Sequence, residues 1–441
     1  MLSRQRAKGL GNIFRPRFAL LTNDEQNDMK NSMWTGHKDG RFGGVLRVAL
    51  AAVLVTVLSL PAHAGPREQA KRIHERIAGV PPTDAVLTQM QNAISSSDPA
   101  CAQYGVTGAK CAAYIAMENS SFYNVTLKNF AAPWTNRDRS VFVPLNDYVA
   151  TVIGMIRDDV DFRTLLSADL QYIGRAGTVS SGPAANNNDH YAQLEAGNHD
   201  LKAVLEPTTQ SSINNLPPNA TAGAITSRAA AEAFFIAGTN RAMFRFTMVN
   251  HFCMDMEQLH DPRMSPDRIR QDVSRSPGGD SRLFLNNCVG CHTGMDPMAQ
   301  AFAYYNYDDV AGAIEYTNGV VQPKYFNNDL NFPQGFRTPD DHWTNYWRTG
   351  QNRYLGFNGP GTITVEGYGD GTGAKSLGVE LSNSDAFAGC QVKKVFQAVC
   401  MREPETTSDH TKVAEIVGTF ASSGFQMKRV FADTAEYCMG Q

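Results

Sequence analysis

The stretch NNCVGCHTGMDP, residues 286–297, decides how the rest of the chain is read. Cys288 and Cys291 stand three apart and His292 follows at once. C-x-x-C-H is the attachment pattern of c-type haem. The spacing has a chemical reason. Each sulfur adds to one of the two vinyl groups of the porphyrin, and two intervening residues let one tight turn present both sulfurs to neighbouring pyrrole edges. The adjacent imidazole then faces the iron as proximal ligand. Other readings need more than is present. A redox dithiol wants a strand-to-helix junction in a βαβ unit, and the flanking sequence has no such pattern. A zinc site needs further Cys or His at knuckle spacing, and the nearest candidates, His260 and His342, stand alone. The expectation is one haem c, bonded to Cys288 and Cys291 and ligated by His292.

Such a group is attached outside the cytoplasm, and the chain carries a matching leader. Up to Met33, itself a second candidate start, the sequence is polar and basic without a helical or strand period. From Met33 it reads MWTGHKDGRFGGVLRVALAAVLVTVLSLPAHA. Lys38, Arg41 and Arg47 form a positive n-region, Val48 to Leu60 an apolar core, and Ala62-His63-Ala64 a cleavage site. That is a secretory signal peptide. The core is shorter than the roughly 20 residues a bilayer span needs, so cleavage after Ala64 is expected, with no stable membrane span afterwards and a periplasmic or secreted location. No cysteine stands near the cleavage point, which argues against a lipoprotein. The first 64 residues hold nine Lys/Arg and four Asp/Glu, so of the total charge of −3 the remainder carries −8. An acidic mature chain lacks the basic footprint of a nucleic-acid binder and the polybasic patch of an anionic-lipid binder.

The mature chain reads as mainly α, with long loops. Ala70, Ile73 and Ile77 share a helical face, Pro81-Pro82 ends that helix, and Thr83 is an N-cap for the next. CAAYIAMENSSFYNVTL reads as a helix fraying at its serines, and NDYVATVIGMIRDDVDFRTLL as a strong amphipathic one. Loops follow at GRAGTVSSGPAANNND and EPTTQSSINNLPPNATAG. The apolar stretch SRAAAEAFFIAGTNRAMFRFTMVNHFCMDM reads as one or two buried helices, broken at Gly238-Thr239-Asn240. From Tyr316 to Leu381 only TITVEGY alternates like a strand. GFNGPGTITVEGYGDGTG, residues 356–373, lacks the Lys-Ser/Thr of a phosphate loop and reads as a plain loop. Two helices close the chain: one from an N-cap at Ser384 through Met401, the other from Thr411 to Cys438 with a break at Ser422-Ser423-Gly424. The expected organisation is a leader at 1–64, a helical N-terminal region at 65–210 and a haem-bearing region at 211–441, built like an enlarged class I cytochrome c.

CVGCHTGMDPMAQAFAYYNYDD, residues 288–309, resembles the haem segment of a group of exported monohaem proteins of unassigned function. Their signature runs close to C-x-x-C-H-x-x-(I/M)-D-P-(L/M)-G-x-A-L-E-x-F-D. Cys288, Cys291, His292, Met295, Asp296, Pro297, Met298 and Ala301 match it, whereas Ala299 replaces its Gly, Ala303 its Glu and Asn306 its Asp. SDAFAGCQVKKVFQAVCMREP and FASSGFQMKRVF are similar to the group's C-terminal helical pair, and residues 70–256 more loosely to its upstream helices. The resemblance implies a cytochrome-like protein and supplies no substrate.

Function then turns on the sixth iron ligand. A second protein ligand makes an electron carrier, and an open position allows oxygen or peroxide chemistry. No methionine lies between Met298 and Met401. Met401 is the first candidate, ahead of Met427, Met254, Met256, His251, His260 and His342. His190 reads as a surface or capping histidine before a base or a ligand, and the aromatics of AYYNYDD and DDHWTNYW as core packing that also suits a haem wall. The leading expectation is electron transfer with a redox partner protein. The alternatives are a peroxidase-like haem enzyme and a binding or assembly protein in which haem is structural.

Six cysteines remain, enough for three bridges in an oxidising compartment. Cys101 and Cys111 flank a short glycine-containing loop and should pair. Cys390 and Cys400, ten apart in one helix, would sit about 15 Å from each other, too far to join. An antiparallel terminal hairpin favours Cys390 with Cys438 and Cys253 with Cys400, and the swapped pairing stays open.

Overall fold

Apolar spacing and caps set the first helices of the chain, and a computed structural model describes residues 64–96, 98–236, 239–266, 268–269, 282, 284–326 and 336–440. Helix α1, Pro66–Ala78, buries Ala70, Ile73 and Ile77. Helix α2, Asp84–Ser95, starts from Thr83, whose hydroxyl accepts from the amide of Val86. Helix α3, Gly108–Met117, is tied at its first turn by the Cys101–Cys111 disulfide. The helix expected to fray at its serines instead resumes beyond them as a wider π-turn, Phe122–Leu127. Helix α4, Asp147–Arg157, capped by Asn146, is buried along almost its whole length. The expected leader, up to residue 63, lies outside the described residues.

The loops expected next contain a small ribbon. Strand β1, Gln171–Gly174, pairs antiparallel with β2, Leu205–Thr208, and Tyr172 faces Pro207. Helix α5, Asp189–Ala196, lies between them in sequence. It carries His190, which is buried rather than on the surface. One ring nitrogen accepts from the amide of Gly174 at 2.8 Å and the other meets the carbonyl of Ser181 at 2.7 Å, so the ring pins the ribbon.

The apolar stretch forms two helices, α6, Arg228–Phe234, and α7, Arg241–His251. Asn240, in the left-handed region, precedes the second, while Gly238 of the expected break lies outside the described residues. Helix α8, Val289–Ala299, carries Cys291 and His292, with Cys288 at its N-cap. Strands β3, Tyr305–Asp308, and β4, Ala313–Tyr316, form a hairpin.

The segment read as loop with one strand is richer than expected. Strand β5, His342–Asn345, pairs with β7, Gly369–Thr372, which also pairs with β6, Thr362–Ile363. TITVEGY contributes only the two residues of β6. Strand β7 reads Gly-Asp-Gly-Thr and has no strand propensity of its own. The Trp343 indole occupies the space a side chain at Gly371 would need, so packing on a tryptophan overrides the local preference. Helix α9, Gly373–Ser382, was not expected.

Three helices close the described chain: α10, Asp385–Cys400, capped by Ser384; α11, Thr407–Ser422; and α12, Met427–Cys438. Helix α11 starts four residues before the expected Thr411, because Thr406 and Asp409 form a capping box. The break at Ser422-Ser423-Gly424 is a full reversal through Gly424 and Phe425, both at positive φ. Helices α10 and α12 therefore run the same way, and Cys438 meets Cys400 while Cys390 meets Cys253. This corrects the favoured Cys390–Cys438 and Cys253–Cys400 pairing, which assumed a single returning helix; the swapped pairing is the one found.

The C-terminal helices do not stand apart from the N-terminal ones. Helix α12 packs on α1 and α3, α10 also reaches α1, and α9 packs on the turn at Phe162–Leu166. Arg76 of α1 donates to the carbonyl of Val399 at 2.8 Å. Residues on both sides of the expected boundary at 210 share one core, and the described residues form one compact unit. The architecture is mainly α with short two- and three-stranded sheets.

Candidate haem site

In an α-helix, positions i, i+3 and i+4 share a face. Cys288, Cys291 and His292 have that spacing at the start of α8, with Cys288 at the N-cap. Both thiols are half-buried and both are free, whereas the other six cysteines are bridged. One turn on, Asp296 continues the same face and is wholly buried.

The opposite face is fastened to the segment that follows α7. The amide of Asp261 donates to the carbonyl of Gly290 at 2.9 Å, and the Thr293 hydroxyl donates to the carbonyl of Asp261 at 3.1 Å. The His260 ring lies against Gly290 and the Trp347 indole against Gly294; a Cβ at either glycine would sit within 2.2 Å of the ring. On the near side the Cys291 sulfur lies 3.4 Å from the carbonyl of Met256. Helix α8 thus has one face glued to the fold and one that presents two sulfurs and an imidazole.

His292 is held by its Nδ1, 3.2 Å from Oδ1 of Asp296. Asp296 in turn takes the guanidinium of Arg241 on both oxygens, at 2.7 and 3.0 Å. A carboxylate at Nδ1 puts the ring proton there and leaves the lone pair on Nε2. Nε2 makes no hydrogen bond among the described residues. The Phe284 ring stands 6.2 Å from the imidazole, centroid to centroid. Burial pushes the Cys291 thiol up from its ordinary value. That is opposite to the depressed thiol of a redox dithiol. Among the described residues no three His, Cys, Asp or Glu side chains lie close enough to hold an ion, so a zinc site has no third ligand there. The donor set fits a c-type haem: two unbridged sulfurs at the required separation and an imidazole whose outer nitrogen is uncommitted.

The sixth-ligand candidates are scattered. Met401 caps α10 in the left-handed region and is 74% exposed, in a turn held by Arg402 and Asp409; no described contact brings it to α8. Met427 is buried at the start of α12. His251 is core: the Tyr148 hydroxyl meets its Nε2 at 2.7 Å, and it stacks on Phe387. The Met254 sulfur accepts from the Tyr354 hydroxyl at 3.7 Å. His342 lies 3.2 Å from Asp370 across the β5–β7 pair. Among the described residues, Met256, through its backbone, and the His260 ring touch the motif segment. Sequence reasoning quoted Asp296 only as a match to the resembling signature and gave Arg241 no role. The i+4 step from His292 was a signal for the first. For the second, 55 residues away from Asp296, there was none.

No family model, no curated protein and no solved structure matches the chain. Three disulfides cross-link the described chain, and among the described residues no helix is long and apolar enough to cross a membrane.

Proposed function

We propose that this is an exported redox protein carrying one c-type haem, bonded to Cys288 and Cys291 and ligated by His292, which exchanges electrons with a partner protein. The observation that carries the reading is the single helical face on which two free thiols stand beside an imidazole held by its Nδ1. When bound, the haem supplies one-electron exchange between ferric and ferrous iron. The chain's own residues orient the ring through Asp296, which is itself wholly buried and paired with Arg241. Three bridges and the leader suit a periplasmic or secreted location.

The carboxylate behind His292 favours a second reading, a haem enzyme with an open sixth position, because a strongly donating proximal ligand serves that chemistry as well. Purified exported protein decides between them. Haem staining of a denaturing gel, with a mass increase of one haem, is expected, and haem lost on denaturation overturns the reading. A low-spin reduced spectrum assigns electron transfer, and a high-spin spectrum that shifts with peroxide assigns the enzyme.

A further inference from the structure

Asp296 is a costly residue to place where it is. A wholly buried carboxylate must be neutralised and hydrogen-bonded, and Arg241 of α7 does so with a bidentate fork. Holding α8 in place does not demand this, because the opposite face is already fastened through Asp261, His260 and Trp347. The distinctive effect falls on the imidazole. A backbone carbonyl at Nδ1 would also fix the tautomer. A carboxylate adds negative charge, draws the Nδ1 proton towards itself and makes Nε2 a stronger donor.

We propose that Asp296, backed by Arg241, is a positioning residue that gives His292 imidazolate character and thereby sets a low reduction potential for the iron. This rests on the haem reading above. The two charges act in opposite directions. The carboxylate strengthens ligation and favours ferric iron, and the guanidinium limits that effect by sharing both oxygens. The Arg241 side chain is one-fifth exposed against none for Asp296, so the cation stands on the solvent side of the pair.

The test compares wild type, Asp296→Asn and Arg241→Gln, each first checked for covalent haem by mass. Absence of haem from the wild type overturns the haem reading and this inference with it. With haem attached, Asp296→Asn keeps an acceptor for Nδ1–H but loses the charge. Its ferric-to-ferrous equilibrium should move at least tenfold towards ferrous, a rise of about 59 mV for one electron. Arg241→Gln should move it the other way, which keeps the proposal open to refutation if the asparagine variant fails to fold. Resonance Raman of the ferrous protein, after photolysis of CO if a sixth ligand is present, should show a lower iron–imidazole stretch in Asp296→Asn. Haem attached in all three, with potentials and stretch unchanged, overturns the role of Asp296 and leaves the haem reading intact.

Discussion

Cys253, just past the end of α7, is bridged to Cys390 in the second turn of α10, with 5.3 Å between their Cα atoms and 137 residues between them in sequence. The bridge joins the helix that supplies Arg241 to the C-terminal bundle. Replacing both cysteines by serine should cost about 2–5 kcal/mol, since the closed loop is long. Guanidinium denaturation measures this, and non-reducing peptide mapping should show Cys253–Cys390 and Cys400–Cys438. A Cys390–Cys438 peptide would refute the three-helix arrangement at the end of the chain.

Met401 is mostly exposed and lies in a surface turn. In the haem-loaded protein proposed above, Met401→Ala should leave the spectrum and the reduction potential as they are. Disappearance of a methionine-to-iron charge-transfer band in the variant would put Met401 on the iron and overturn its placement.

Gly294 packs under the Trp347 indole, and a Cβ there would lie 2.1 Å from Nε1. Gly294→Ala should destabilise by about 1–3 kcal/mol through overpacking and disturb the seating of α8. Gly389, inside α10, faces open space, so Gly389→Ala should stabilise by about 0.5–1 kcal/mol through helix propensity. Thermal melts of the two variants should shift in opposite directions.

Burial, with Lys394 nearby, holds the His251 imidazole well below its ordinary value. As pH falls through about 6.5 the unfolded chain takes up a proton that the native ring refuses. The unfolded state then binds more protons, so stability drops with falling pH, from about 6.5 down to the lowered native value, by up to about 1.4 kcal/mol per unit. His251→Gln keeps an acceptor for Tyr148 and removes this component. Its stability should therefore decline less than that of wild type below pH ~6.5. Equal slopes would show that His251 titrates normally in the fold.

Local patterns were legible and long-range pairings were not. The buried face of α1, the caps at Thr83 and Ser384, the Cys101–Cys111 bridge and the break before Phe425 follow from neighbours a few residues apart. The spacing of Cys288, Cys291 and His292 also carried its own geometry. Strand β7 was hidden because its glycines fit only under side chains distant in sequence, Gly371 under Trp343 and Gly369 under Arg348, and α9 because its start follows directly on that strand. The Arg241–Asp296 contact depends on how α7 crosses α8, which no spacing encodes. The bridge partners of Cys390 and Cys438 depended on one unrecognised reversal at Gly424 and Phe425.

Helix α12 sits against α1 and α3, where Lys110 of α3 pairs with Asp433 at 2.9 Å and Gln69 of α1 donates to the carbonyl of Gly440 at 3.2 Å. This part of the core therefore joins the two ends of the described chain. Helices α1 to α3 share this part of the core with α12, so contacts of high sequence separation complete it. Both ends of the described chain are thus needed to close the core on which the C-terminal helices rest.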